Sequence, residues 1–420
     1  MKLGFIGTGK LGLPVSLVYC SKGHDVLAYD VNPVFYQGKS AIEQLYAEEL
    51  CPENKISLQE WFLQHPLQHE YRHTQSLDEI VQFADLIFVA VQTPHDPRFE
   101  GTQRLQPERT DFDYTYLKEA MKNLSDAAER CQKTIVVSII STVLPGTTRR
   151  EIFPLLSPLI KLCYNPYFIA MGSVANDCLY PEFILLGNRD AEAVELTRSF
   201  YKTITDAPVH FTTIENAEMI KVSYNTFIGT KIAMANTIME LCHKLPNTNC
   251  DDVMNALFLA DKRLISKTYL RGGMGDGGGC HPRDNIALSW LSNQVGVQYN
   301  WYDSIMMARE KQTEFLANCI EDAVKTSSLP VVLLGKSFKA NTAITTGSPA
   351  ILLGHILEEK GIPYVFHDPL CQKEDAPKSP AIYFVSCAHD VFKSYKLPEG
   401  SILLDPHRKY SECLEIGTYI

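Results

Sequence analysis

Apolar and polar positions follow two rhythms along this 420-residue chain. In the first half, short apolar or β-branched runs at 3–6, 26–29, 85–91 and 134–140 are bounded by polar turns. Helix-like stretches separate them, the first running to Lys22. Strands alternating with helices predict βαβ units and a parallel, doubly wound sheet. Residues 95–110 carry Pro, Arg and Glu without periodicity and predict a long surface loop, a length usual for lids and binding segments.

The texture changes near Glu215. Residues 215–244 contain no proline, and Ile220, Phe227, Ile228, Ile232, Ala235, Ile238, Met239 and Cys242 recur at spacings close to three and four. That pattern predicts one long helix, apolar around much of its girth and so buried between domains or in a dimer. Short runs at 331–334, 364–367, 381–385 and 402–404, with a helical stretch at 348–360, predict a second, smaller α/β domain. The expected fold class is α/β, two Rossmann-like doubly wound domains joined by a long central helix. The expected divisions are a cofactor domain at 1–205, a central helical region at 206–320 and a second Rossmann-like domain at 321–420.

Composition narrows the class of partner. Apolar residues make up 45% and charged residues 21%, as in ordinary soluble domains. With 39 basic against 49 acidic residues the net charge is −10, which argues against nucleic acid or an anionic membrane as partner. No run approaches the 18 or so apolar residues of a membrane span, and the glycine-broken start does not read as a signal peptide. The 12 cysteines are scattered singly, without a CxxC pair, so neither a metal site nor a disulfide framework is expected. Reduced thiols in the cytoplasm are expected instead.

Candidate chemistry begins at Gly7-Thr8-Gly9-Lys10-Leu11-Gly12, which follows a predicted strand and opens a predicted helix. In a dinucleotide fingerprint the first glycine makes the turn, the second admits the pyrophosphate, and the third lets helix and strand pack closely. Asp30 closes the second strand, where an acid binds the ribose 2′-hydroxyl. No Arg follows it to receive a 2′-phosphate, so NAD is favoured over NADP. The alternative is a glycine turn with a capping Asp. A second constellation is RGGMGDGGGCHPRDN at 271–285, which sets Cys280 in glycine-rich chain near Arg271. Lys221 and Asn225 share one face of the long helix. A thiolate adding to an aldehyde leaves an oxyanion that a Lys or an amide would stabilise. By residue type alone, Cys280 is as readily a buried structural thiol, and Lys221 with Asn225 a solvated helix face.

Eight stretches together resemble the UDP-glucose/GDP-mannose dehydrogenase family, the nucleotide-sugar 6-dehydrogenases, across nearly the whole chain. They are GTGKLGLPVS at 7–16, FVAVQTP at 88–94, STVLPGTT at 141–148 and NPYFIAMGS at 165–173. The others are AEMIKVSYNTFIGTKIAMANTIMELC at 217–242, DKRL at 261–264, GGGCHPRD at 277–284 and GKSFKANT at 335–342. The resemblance implies oxidation of a sugar C6 alcohol to a carboxylate by two hydride transfers to NAD, in a homodimer or higher homo-oligomer. It implies Cys280 as nucleophile, Lys221 and Asn225 as ligands of the C6 oxygen, and Asp284 as the partner that positions water and Lys221. Thr142 lies near the reacting carbon and, with Gly7, Gly9, Lys10, Leu11, Gly12, Asp30, Thr93 and Pro94, near the cofactor. The implied substrate contacts are Tyr167, Phe168, Lys221, Arg263, Arg271, Gly277, Phe338 and Lys339, with Arg263 reaching across the dimer in some members. A UDP-sugar is the favoured substrate and polysaccharide biosynthesis the expected setting.

The chain departs from the family pattern at four places. Tyr167 and Met171 stand where the family usually has carboxylates, one a natural base for thioester hydrolysis. Thr346-Gly347-Ser348 replaces a stretch that usually holds an Arg, His281 replaces a residue commonly aromatic or apolar, and the loop at 95–110 is longer than usual. Three outcomes fit these departures: a four-electron dehydrogenase using Asp284, His281 or another group to activate water; an unusual substrate or an arrested thioester; or binding without catalysis. Retention of Cys280, Lys221, Asn225 and Asp284 together argues against the last. His281 reads more readily as a surface or turn residue than as a catalytic group. A β-hydroxyacid dehydrogenase is the runner-up, but it needs neither the glycine-flanked Cys nor the second α/β domain.

Overall fold

Eight strands make the large sheet of a computed structural model: β1 (Lys2–Ile6), β2 (Asp25–Tyr29), β3 (Tyr71–His73), β4 (Leu86–Val89), β5 (Ile135–Ile139), β6 (Ile160–Tyr164), β7 (Ile184–Asn188) and β8 (Val209–Thr213). The structure describes residues 1–32, 40–45, 50–51, 56–94, 110–170, 173–266, 273–274, 280–345, 347–371, 378–407 and 409–410. The expected loop at 95–110 therefore lies, but for Thr110, outside the described residues.

The strand order is β3-β2-β1-β4-β5-β6-β7-β8. The strands from β3 to β6 run parallel, β7 pairs antiparallel with β6, and β8 parallel with β7. Order reverses between β1 and β4, the switch point where open α/β sheets bind ligands at their strands' carboxyl ends. The helices of this half are α1 (Gly12–Ser21), α2 (Leu58–Gln64), α3 (Leu77–Phe83), α4 (Thr115–Cys131), α5 (Val174–Leu179) and α6 (Ala191–Tyr201). Alternate strand residues feed two separate cores, as a sheet buried on both faces requires. Phe5 and Phe88 stack at 5.1 Å on the face covered by α1 and α6. Ile87 and Val89 pack on the opposite face with Leu117, Met121 and Leu124 of α4.

The helix expected at 215–244 is α7 (Ile214–Lys244). Phe227, Ile228, Met234 and Met239 on it are 44–55% exposed. Two compact units divide inside α7, between Gly229 and Thr230. The second unit holds α8 (Cys250–Phe258), α9 (Cys280–Val295), α10 (Trp301–Ser327) and α11 (Pro349–Glu359). Its four-stranded parallel sheet has the order β10-β9-β11-β12, with β9 (Val331–Leu334), β10 (Tyr364–His367), β11 (Ile382–Val385) and β12 (Ile402–Leu404). These are the runs expected from the sequence. The reversal between β9 and β11 repeats the switch-point logic of the first sheet. Among the described residues no helix is long and apolar enough to cross a membrane.

Candidate active site

The turn after β1 has the geometry a pyrophosphate requires. Gly7 has φ +92°, and a Cβ there would stand 2.8 Å from the Ala90 carbonyl oxygen. A Cβ on Gly12 would fall 1.9 Å from the Gly7 carbonyl oxygen, so only glycine lets α1 begin this close to the turn. Gly9 has nothing within 4 Å of the place its Cβ would take, which leaves the backbone open from outside. Lys10 beside it is exposed and Leu11 half-buried. At the end of β2, Asp30 accepts the Thr8 N–H at 2.7 Å and the Asn32 N–H at 2.8 Å. Its half-buried carboxylate thus sits beside the glycine turn, where a ribose diol would meet it. Beyond β2 and β3, Tyr29, Gln75, Ser76, Asp78, Asn123 and Arg130 help line a cavity of about 380 Å³.

The loops leaving β4, β5 and β6 continue along the same edge. The Thr93 hydroxyl donates to the Thr142 carbonyl at 2.7 Å, the Ser141 hydroxyl to the Val91 carbonyl at 2.5 Å, and the Tyr164 hydroxyl to the Ser141 carbonyl at 3.2 Å. Pro94 is half-buried beside them. Strands lie about 4.8 Å apart, so the three steps from β1 to β6 carry this edge roughly 14 Å.

At the far end of that edge α7 contributes Lys221. The residue is 7% exposed, and its ammonium lies 5.1 Å from the centre of the Phe168 ring. Among the described residues it has no carboxylate or carbonyl partner, and burial pulls its pKa below the ordinary lysine value. Phe168 also packs on Phe183 and Tyr224, each at 4.7 Å between ring centres. The Tyr224 hydroxyl donates to Glu182 at 3.0 Å, and burial is the first cause of its raised pKa. Asn225 is exposed one turn after Lys221. A cation held in an apolar setting without its counter-charge is a ready ligand for a developing oxyanion.

Tyr167 turns the other way from its neighbour Phe168. Its hydroxyl lies 2.8 Å from that of Tyr19 and 2.9 Å from that of Tyr201. Tyr201 donates its one proton to the Asn165 side-chain oxygen at 2.5 Å. Burial first, then Tyr201 and Cys178, push the Tyr167 phenol well above its usual pKa, against the opposing bond to Tyr19. A phenol so placed stays protonated and is no substitute for a carboxylate base. The other departure, Met171, lies outside the described residues.

In the second unit, Phe338 and Lys339 lie on the loop that leaves β9 at the switch point, Phe338 half-buried and Lys339 exposed. The turn repeats the first one: Gly335 has φ +89°, and the Lys336 and Ser337 N–H groups donate to Asp368 at 2.6 and 3.1 Å. Asp368 differs from Asp30 in being wholly enclosed, with the His389 Nε2 3.2 Å away. Burial would raise its pKa, but amide donors led by Lys336 and the His389 ring hold it at about 2. This acid is committed to its own turn and does not repeat the ribose role expected of Asp30. Arg263 is exposed in the turn after α8. Cys280 is the first residue of α9, and Asp284 follows one turn later on the same helix. The side chains of Cys280, His281 and Asp284, and all of Arg271, Gly277 and Thr346, lie outside the described residues.

Four residues absent from the sequence-based site adjoin it: Glu218, Tyr224, Glu182 and Tyr201. Glu218 and Tyr224, three positions before and after Lys221 on a predicted helix, carried a signal in their spacing.

Comparison with known proteins agrees with this arrangement. Residues 1–205 match the model for the NAD-binding domain of the UDP-glucose/GDP-mannose dehydrogenase family, and residues 215–310 the model for its central domain. A UDP-glucose 6-dehydrogenase of Rickettsia felis is 28% identical over 378 residues, 88% of this chain and 79% of the relative. A GDP-mannose 6-dehydrogenase of Pseudomonas aeruginosa is 26% identical over 373 residues, 86% of this chain and 79% of the relative. The crystal structure of a ternary complex of GDP-mannose dehydrogenase from P. aeruginosa shares the fold, with a TM-score of 0.81 at 23% identity over 97% of this chain and 96% of that one. The matched N-terminal domain makes NAD the cofactor, and the Gly7, Gly9 and Gly12 turn with Asp30 fits it.

Proposed function

Because this chain belongs to the UDP-glucose/GDP-mannose dehydrogenase family, we propose that it oxidises the C6 alcohol of a nucleotide sugar, a UDP-sugar by preference, to the uronic acid through Cys280. The observation that carries this reading is Lys221, buried without an anionic partner among the described residues. It lies on the same strand-end edge as the cofactor turn, at a distance that suits an extended dinucleotide.

In this reading Gly7, Gly9, Lys10, Leu11 and Gly12 hold the pyrophosphate, Asp30 the ribose, and Thr93, Pro94 and Thr142 the nicotinamide side. Bound NAD supplies the hydride acceptor for each oxidation. Lys221 and Asn225 ligate the C6 oxygen as its proton passes to water, the C6 hydride passes to NAD and the aldehyde forms. The Cys280 thiolate then adds to the aldehyde carbon, giving a thiohemiacetal whose oxyanion Lys221 stabilises. Loss of the second hydride gives the thioester, and water, positioned by Asp284, releases the carboxylate and returns the thiol. Each sugar loses four electrons and gains one oxygen from water. Phe168, Arg263, Arg271, Gly277, Phe338 and Lys339 contact the nucleotide sugar. Singly scattered cysteines and a nucleotide-sugar substrate support a cytoplasmic setting.

The measurement that decides is stoichiometry. UDP- and GDP-sugars incubated with NAD should give two NADH for each uronic acid identified by mass spectrometry, with a UDP-sugar turned over fastest. One NADH with a small hydroxy acid would instead support a β-hydroxyacid dehydrogenase. With no carboxylate at Tyr167, hydrolysis should be slow enough for intact-mass analysis to find the acyl-enzyme, removable by hydroxylamine. Rapid full oxidation without any adduct would remove that part of the reading.

The region 206–320 is proposed as the dimer-forming part. The exposed stripe of Phe227, Ile228, Met234 and Met239 on a 31-residue helix is the kind of apolar face that monomers bury by pairing. Sedimentation velocity at micromolar concentration should show a dimer or larger species. A monomer at that concentration would contradict it.

A further inference from the structure

Glu218 on α7 has no exposure, an expensive place for a carboxylate. Its two oxygens are both used: Oε2 accepts the Gly146 N–H at 2.5 Å and Oε1 the Thr148 N–H at 2.8 Å. Those amides belong to the loop leaving β5, which begins with Ser141 and Thr142 and turns at Gly146, φ +84°. On the helix side, Glu218 stands one turn before Lys221 and two before Asn225, on one face. A single buried side chain therefore fastens the segment carrying Thr142 to the helix carrying Lys221.

We infer that Glu218 is a positioning residue, which fixes the spacing between Thr142 and the Lys221–Asn225 face so that hydride acceptor and oxygen ligand meet the same carbon. This rests on the dehydrogenase reading above. A misplacement of about 1 Å in such a constellation costs on the order of a hundredfold in rate. Buried amide-to-carboxylate bonds of this kind resist it better than the exposed Arg149–Glu215 pair, 2.5 Å apart one turn earlier.

The role has a pH signature. Both oxygens accept, so the bonds demand the anion, and protonation as pH falls removes one acceptor. Burial first, and then the nearby Glu215, raise the Glu218 carboxyl above its ordinary value, while the Thr148 and Gly146 donors oppose the rise. Around it stand Glu215 paired to Arg149, the hydroxyls of Tyr164 and Tyr114 on the loop side, and Lys221 one turn on.

The test compares Glu218→Gln with Glu215→Gln in the full-length protein. Glu218→Gln sets an amide donor against a backbone N–H, so kcat should fall at least tenfold while KM for NAD and for the sugar nucleotide stays within threefold. The acid limb of the wild-type kcat profile should vanish in that variant, and Glu215→Gln should keep kcat within twofold. Should Glu218→Gln not fold, Gly146→Ala strains the same contact from the loop side and should give the same kcat-selective loss. A wild-type kcat in Glu218→Gln or Gly146→Ala, even with a lowered melting temperature, overturns the inference. So does an unchanged acid limb in Glu218→Gln, or an equal loss in Glu215→Gln. Wild-type protein that reduces no NAD with any sugar nucleotide refutes the dehydrogenase reading itself, and the positioning role falls with it.

Discussion

Cys280→Ser should end uronic acid formation, lowering it by a factor of at least a thousand, while one NADH per sugar still appears with the aldehyde. The first oxidation removes a hydride from an alcohol and uses no nucleophile. The second needs a tetrahedral adduct, and a serine hydroxyl without a dedicated base is almost wholly protonated and adds poorly to a carbonyl. The backbone of residue 280 opens the sixteen-residue helix α9, and free N–H groups at a helix start favour a nearby negative charge. A thiol is ionised readily enough near neutral pH to add to a carbonyl, whereas an alcohol, with its far higher pKa, is not. The control is Tyr167→Phe, which removes one hydroxyl from a buried network and leaves Tyr19 without its 2.8 Å partner. It should cost about 1 kcal/mol of stability and change turnover only a few-fold, because Phe168 keeps its own contacts. Product analysis by mass spectrometry alongside NADH absorbance reads both. Acid released by Cys280→Ser at the wild-type rate would refute the nucleophile assignment.

The glycine turn was legible because its constraint is local: residue 7 needs positive φ and residue 12 has no room for a Cβ, whatever the rest of the chain does. The face of Lys221 and Asn225 was legible for a similar reason, since helical spacing is set by the backbone alone. The phenol of Tyr167 was not. Its partners sit at positions 19 and 201, and the choice between facing a ligand and facing the core is made by packing across the sheet. Glu218 joins residues about seventy positions away through backbone amides, which carry no mark in sequence. Asp368 shows the converse error that a motif invites. It occupies the same place after a positive-φ glycine as Asp30, yet His389 and the turn's own N–H groups enclose it. Only its neighbours reveal that it is a structural acid.

Lys221→Met should move activity and stability in opposite directions. Turnover should drop by two to four orders of magnitude, because the substitution removes the cation offered to the C6 oxygen and to the later oxyanion, interactions of roughly 3 kcal/mol or more in a water-poor site. Stability should rise. The ammonium is buried beside Phe168, without a carboxylate partner among the described residues, and its pKa is lowered by that burial. A lysine whose folded pKa lies below its unfolded value makes the folded state weaker wherever the unfolded state binds the extra proton. Wild-type stability should therefore gain as pH rises from the folded pKa of Lys221 toward the ordinary lysine value, and Lys221→Met should lack that gain. Methionine keeps most of the side chain's volume and its packing on the ring. An anionic or partly anionic substrate oxygen supplies the missing counter-charge, so substrate binding should also draw protons from solution in wild type but not in the variant. Thermal melts across pH, turnover, and calorimetry in buffers of different ionisation enthalpy test the three consequences together. A variant that melts lower than wild type while retaining turnover would mean that Lys221 is a packing residue, and the oxyanion role would have to be given to another group.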